Sequence, residues 1–384
     1  MSESDAWICV ASVTGVAEEL MGVLLARFGS AAEVLQAARD GRLRRWSAGR
    51  WTMEGRPALP TTLLDGLADV AADPDTKLAP IRALGLWTLT PLDPDYPARL
   101  RDLDPPPNLL NGWGDPAALA GERAVALVGT RRPTPAGRTL AARLARRLAE
   151  WRAVVVSGLA VGIDGAAHAA TVEVGGRTVG VIGAGHRTPG PRAHAGLRRA
   201  IVEGGGALVS EHHPDTHATR GTYPRRNRII AALAQSVLVV EAPARSGALI
   251  TARHALGLGR QVLVAPGRVG DWSVAGSLAL LRETPARPLV GLDELIADLG
   301  YLDAGPAAAD IPGPASRAAA LASLGPAQRV VAERICRSPA GLDVIVQDTD
   351  LPPAAVSGAV TLLLMRGWAQ AVGPAYLPAG PLLG

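Results

Sequence analysis

Between residues 123 and 268 the chain alternates short, uninterrupted apolar runs with longer segments of helical character. The runs are Ala124–Val128, Ala153–Val156, Thr178–Ile182, Ala207–Ser210, Ser236–Val240 and Gln261–Ala265. They show no polar alternation, which predicts strands covered on both faces. The intervening segments, 135–150, 164–174, 193–204, 225–234 and 247–258, predict helices. Strand, helix, strand at this spacing predicts an α/β protein with a doubly wound, mainly parallel sheet.

The flanks follow different patterns. Apolar positions recur at helical spacing over Val16–Phe28 and again over Ala31–Ala38, with Gly29-Ser30 between them and Thr14-Gly15 leading in. Residues 1–80 therefore read as a small helical domain of helix-hairpin-helix or SAM-like outline. Such a unit either presents backbone N–H groups to a phosphate or serves as a protein-contact module. Residues 81–122 are rich in proline and carry little periodicity. They predict an extended lead-in packed on the sheet, because Leu100, Leu103, Leu109, Leu110 and Trp113 call for burial. The sheet domain then spans 81–300. Residues 301–325, dominated by Ala, Pro and Gly, predict a linker. Over 326–384 the order is helix Pro326–Arg337, short helix Leu342–Asp348, helix Pro353–Met365 and a hairpin from Trp368 to Leu377, a winged-helix-like pattern. Pro353–Met365 holds no basic residue, so this domain reads as a contact module for protein and not as a reader of duplex bases.

Composition adds a compartment and a charge. The 384 residues are 48% hydrophobic and 19% charged, values of a globular, core-forming chain. Cys9 and Cys336 alone exclude a disulfide scaffold and a Cys-rich metal cluster. No apolar stretch reaches the roughly 18 residues of a membrane span, and no basic-then-apolar signal opens the sequence, so a cytoplasmic protein without membrane contact is expected. The net charge of +4 conceals a division. Residues 123–285 contain 22 Arg and 9 acidic residues, a local excess of +13, and the remainder is acidic. Lys77 is the only lysine. Codon bias explains Arg over Lys but not this segregation, which points to a polyanionic partner for the sheet domain.

Ligands of an open parallel sheet bind beyond the carboxyl ends of its strands. There the sequence offers Gly129-Thr130-Arg131-Arg132, where a tight turn, a hydroxyl and a guanidinium suit a phosphate. The second loop, Ser157-Gly158-Leu159-Ala160-Val161-Gly162-Ile163-Asp164, is a second phosphate cradle; Asp164 reads as the N-cap of the next helix and His168 as its capping partner. Gly183-Ala184-Gly185-His186-Arg187 and a loop with Pro189, Pro191 and Arg192 follow the third strand. Glu211-His212-His213 with His217 follows the fourth and reads as a surface loop. Tyr223-Pro224-Arg225-Arg226-Asn227-Arg228 places three cations at a helix start beside an aromatic ring. Cations oppose the positive end of the helix dipole, which calls for a bound phosphate, and the ring suits a stacked base. Ser246 and Thr251 follow the fifth strand.

Walker, zincin, C-x-x-C and nucleophile-elbow strings are absent, and Ser157 stands where a nicotinamide-binding protein needs an acidic residue. The loops thus offer phosphate binding without a catalytic constellation. No cofactor is expected and no activity as an enzyme. A nucleotide-processing enzyme on a Rossmann-like fold is the alternative, although the Gly-Gly-x-Gly-Thr-x-x-Glu loop of nucleoside-monophosphate hydrolases is missing.

Taken in order, these strings resemble the DNA-processing protein A family (DprA, also called Smf). The matching segments are Val128-Gly129-Thr130-Arg131, Ser157-Gly-Leu-Ala-x-Gly-Ile-Asp164 with His168, Tyr223-Pro-x-Arg-Asn-Arg-Ile-Ile230, Glu241 with Ser246-Gly-x-Leu-Ile-Thr251, and Gly259-Arg260 with Pro266-Gly267. Asp95-Tyr96-Pro97 and Pro105-Pro106 match its entry into the sheet. The resemblance covers about residues 93–280. It implies an extended Rossmann-like domain that binds single-stranded DNA in natural transformation, dimerises and loads RecA recombinase. Arg131 would grip a phosphate beside Ser157 and Gly158, and Arg225, Asn227 and Arg228 would contact the strand. The family's Tyr-Pro-x-x-Asn segment is replaced by Arg187-Thr-Pro-Gly-Pro-Arg-Ala-His194, with Arg192 as the candidate cation, and its Gly-x-Asn-x-Leu-Ile by Gly276-Ser-Leu-Ala-Leu-Leu281.

Overall fold

A computed structural model describes residues 1–384 except 52–54, 56, 122, 189, 220, 301–320, 323, 339, 367, 373–374, 379–381 and 383–384. Most of the expected linker, and Pro189, lie outside the described residues. The chain divides into two units, Met1–Leu299 and Gly300–Gly384.

The centre of the first unit is a sheet whose strands are β1 (Trp87–Leu89), β2 (Leu110–Gly114), β3 (Ala124–Val128), β4 (Val154–Ser157), β5 (Thr178–Val181), β6 (Ala207–Ser210), β7 (Ser236–Val239), β8 (Gln261–Val264) and β9 (Arg287–Pro288). Their spatial order is β1-β2-β6-β5-β4-β3-β7-β8-β9. From β6 to β9 every pairing is parallel, with Leu127 opposite Leu238 at the centre. Strands β3 to β7 are buried along their whole length, the consequence of apolar runs covered on both faces. The predicted strands lie within one residue of their observed bounds. The intervening helices are α7 (Pro135–Glu150), α8 (Ile163–Glu173), α9 (Ala195–Glu203), α10 (Thr222–Leu233), α11 (Ala248–Gly257) and α12 (Ala275–Glu283).

The proline-rich lead-in is more ordered than its sequence suggested. Its β1 and β2 form an antiparallel pair, and β2 adds antiparallel to β6, extending the sheet. Leu100, Leu103, Leu109 and Leu110 are buried as expected, but Trp113 stands 36% exposed.

Before β1, helices Glu3–Ala11, Glu18–Phe28, Ala31–Arg39, Arg42–Trp46, Thr61–Ala72 and Asp75–Ala83, here α1 to α6, enclose a core of their own that includes Met21, Leu24, Leu43 and Leu67. Contacts to the sheet side are specific: the Trp7 indole donates to Asn108 O at 2.7 Å, and the buried His213 imidazole lies 3.1 Å from Lys77 O. The His212–His213 segment is therefore an interface with the helical part, not the surface loop its polarity suggested.

The second unit builds a separate core. Helices Pro326–Arg337, Leu342–Thr349 and Pro353–Met365 (α14 to α16, after the short α13, Leu295–Asp298) pack with strands β10 (Ala340–Gly341), β11 (Ala369–Val372) and β12 (Ala375–Pro378), ordered β10-β12-β11. This is the winged-helix arrangement. Helix α16 turns Val356, Ala359, Val360 and Leu363 inward and leaves Leu362, Leu364 and Met365 exposed.

Candidate nucleic-acid interface

Strands β4, β5 and β6 lie in sequence on one side of β3, whereas β7 crosses to the other. The strand order reverses there, so the loops after β3 and β7 diverge and open a crevice. That crevice is a cleft of about 880 Å³, lined among others by Thr130, Arg131, Arg132, Tyr223, Arg245 and Ser246.

The loops are fixed by backbone contacts. Thr130 N–H donates to Glu241 O at 2.7 Å and Ile163 N–H to Thr130 O at 3.2 Å, tying the β3, β7 and β4 loops together. Gly162 has φ +94°, and a Cβ there would sit 2.4 Å from Thr130 O, so both conformation and space demand glycine. The Glu241 carboxylate is buried and accepts from Thr134 N–H and Oγ1 beside the start of α7. A protein anion therefore already occupies that helix N-terminus.

The Ser157 hydroxyl is wholly buried and donates to Leu127 O at 2.6 Å. It bridges β4 to β3 instead of reaching a ligand. Gly158 N–H donates to the Asp164 carboxylate at 3.1 Å. Gly162, not Asp164, is the N-cap of α8; Asp164 sits within the first turn and folds the loop back on itself. His168 is not its capping partner: the imidazole is buried with Nδ1 2.7 Å from Thr178 Oγ1, and burial drives its pKa down to about 3, so it is neutral.

The arginine cluster divides by helical period. Tyr223, Arg226, Asn227 and Ile230, spaced three and four apart, all line the cleft. Arg226 is only 4% exposed; its guanidinium donates to Gly158 O at 2.6 Å and to Val181 O, stitching the ends of β4 and β5. Asn227 Nδ2 donates to Gly247 O at 3.2 Å. Arg225 and Arg228 face elsewhere. Arg225 pairs with Glu18, and Arg228 bridges Glu18 (2.7 Å) and Glu211. The anions expected at this helix start are thus two glutamates of the chain, and the expectation that Arg225 and Arg228 grip the strand is revised.

Burial pushes the Glu18 carboxyl up, but the Arg225 hydrogen bond and the Arg228 charge outweigh it and hold the pKa below the ordinary 4.5. The stabilisation is complete above that value and is lost as pH falls through the depressed one. Glu18→Gln is expected to cost about 2 kcal/mol. In hydrogen exchange, amides of α1–α3 should lose protection while those of α7 and α8 keep it. Unchanged protection of α1–α3 would contradict the anchoring role.

What remains facing the cleft is basic, hydroxylic and aromatic. Arg131, Arg132 and Arg245 are exposed and form no ion pair among the described residues. The Arg131 guanidinium carbon lies 5.5 Å from the Tyr223 ring centroid. Ser246 Oγ accepts from Ala248 N–H, and the buried Thr251 completes the wall. Gly129 leaves room for Ile163. Arg192 is exposed on the turn Arg192–His194 and does not line the cleft. The cleft residues outside the sequence candidates include Arg245, just before Ser246 in the loop after β7, and Trp272, whose single signal was an isolated aromatic after Pro266-Gly267.

Fold and cleft define a Rossmann-like α/β protein whose switch-point crevice is lined by arginines, hydroxyls and aromatic rings, joined in sequence to a winged-helix domain. The chain belongs to the DNA recombination-mediator protein A family, whose profile matches residues 87–300. Residues 315–373 match the DprA winged helix domain. A DprA-type DNA processing protein of Mycobacterium tuberculosis is 38% identical over 296 residues, 73% of this chain and 74% of the relative. The X-ray structure of DNA processing protein A from Streptococcus pneumoniae superposes with a TM-score of 0.64 at 28% identity, covering 77% of this chain and 98% of that one. A structure of the Helicobacter pylori protein, concerned with its single-stranded DNA binding mode, gives a TM-score of 0.50 at 28% identity over 56% of this chain and 96% of that one.

Proposed function

We propose that this protein is a non-enzymatic recombination mediator that binds incoming single-stranded DNA in natural transformation and loads RecA recombinase onto it, as a cytoplasmic homodimer. The observation that carries the reading is the switch-point cleft, where Arg131, Arg132 and Arg245 face solvent without a carboxylate partner among the described residues. Cations gathered without counter-ions favour a polyanion. Thr130 and Ser246 supply hydroxyls, and Tyr223 supplies a face for a base. Family membership and the Helicobacter pylori relative support single-stranded DNA as the ligand. Recombinase loading and dimerisation rest on the family relationship. The uncharged, apolar exposed side of α16 suits a protein contact better than a DNA groove.

Fluorescence anisotropy with a labelled oligonucleotide at several salt concentrations tests this. Three phosphate-contacting arginines give a log–log slope of about −2, at roughly −0.7 per contact. An affinity that ignores salt would sink the reading.

A further inference from the structure

The loop after β8 carries an indole that stands largely in solvent. Trp272 is 70% exposed and its indole makes no hydrogen bond or ring contact among the described residues, yet it lines the same cleft as Tyr223 and Arg131. Its mount, by contrast, is firm. The Asp271 carboxylate caps the turn by accepting Ser273 N–H at 2.9 Å, and Ser273 and Val274 are buried. Val274 fills the space over Gly267, where a Cβ would meet it at 2.4 Å. One turn on, Ser277 exchanges two hydrogen bonds with Ala242, its N–H donating to Ala242 O at 3.0 Å and its Oγ accepting Ala242 N–H at 3.1 Å. These anchors tie the turn to the loop after β7 that forms the cleft's opposite strand end.

A large apolar ring on a firmly anchored turn, open to water in a crevice lined by arginines, has the two properties a base platform needs. It offers an open π face mounted on a fixed stretch of backbone, and flanking cations hold the phosphates beside it. The geometry points to Trp272 as a base-stacking platform for single-stranded nucleic acid, additional to Tyr223 and indifferent to base identity. This inference rests on the single-stranded DNA reading above.

Trp272→Ala, Trp272→Phe and the unaltered full chain are titrated with oligo-dT and with an abasic strand of equal length. Trp272→Ala should bind oligo-dT about ten-fold more weakly. Its salt slope should not change, because no phosphate contact is lost. Trp272→Phe should recover most of the affinity. On the abasic strand, the alanine variant and the unaltered chain should bind equally. An alanine variant with unaltered affinity for oligo-dT would overturn the inference and leave the DNA reading intact. An equal loss on both strands would also overturn it, since that marks a backbone or purely structural role. If the unaltered chain binds neither strand, both readings fall together.

Discussion

Arg226→Met is expected to destabilise the first unit by about 3–5 kcal/mol, the usual consequence of stranding a buried charge. Arg226 is buried at the mouth of the cleft with its guanidinium on Gly158 O and Val181 O. Burial lowers its pKa to about 10, which leaves it charged at neutral pH. Asp164 lies buried in the first turn of α8 and, like Arg226, against Gly158; burial raises its carboxyl, and Arg226 is the largest influence opposing that rise. Methionine keeps much of the volume but removes the cation and both donors. Proton uptake by Asp164 then relieves the uncompensated charge. Its folded pKa lies above the unfolded one and rises further in the variant, so the deficit should shrink as pH falls and grow as pH rises. Asp164→Asn added to Arg226→Met should recover part of the loss, because the amide oxygen still accepts Gly158 N–H. Urea unfolding at pH 5 and pH 8 checks this. Equal deficits at both pH values with no recovery in the double variant would show that the two groups are not coupled.

The sheet was readable because its strands are unbroken apolar runs, and burial on both faces leaves that mark in any sequence. Strands β1 and β2 left little trace. They are three and five residues long, and they sit among prolines. The cleft was half readable. Its loops follow from the rule that ligands lie past the carboxyl ends of parallel strands, and Arg131 was found that way. The fate of Arg225 and Arg228 was hidden by distance in sequence: Glu18 lies 207 positions before Arg225, and no local pattern links them. The helical period alone separates Arg226 and Asn227 from Arg225 and Arg228, yet it does not say which pair meets solvent. Asp164 misled because a carboxylate near a helix start usually caps it. The Gly158–Gly162 turn instead places it inside the first turn of α8, beneath the loop.

Arg131→Ala, Arg132→Ala and Arg245→Ala together are expected to weaken single-stranded DNA binding by a hundred-fold or more, while Arg131→Ala alone costs about ten-fold. Each charge-assisted contact contributes about 1.5–3 kcal/mol, and neighbouring cations on one polyanion add imperfectly. The salt slope should fall in magnitude by about 2 in the triple variant. Stability should hold or rise, because these side chains are exposed and repel one another without a counter-ion. That outcome is the inverse of Arg226→Met, where stability is lost at a residue three positions along α10 from the cleft-lining Tyr223. The contrast separates arginines that build the cleft from arginines that fill it with charge. A triple variant with the original affinity and slope would remove the cleft from the DNA path and return the basic excess of residues 123–285 to some other face of the sheet domain.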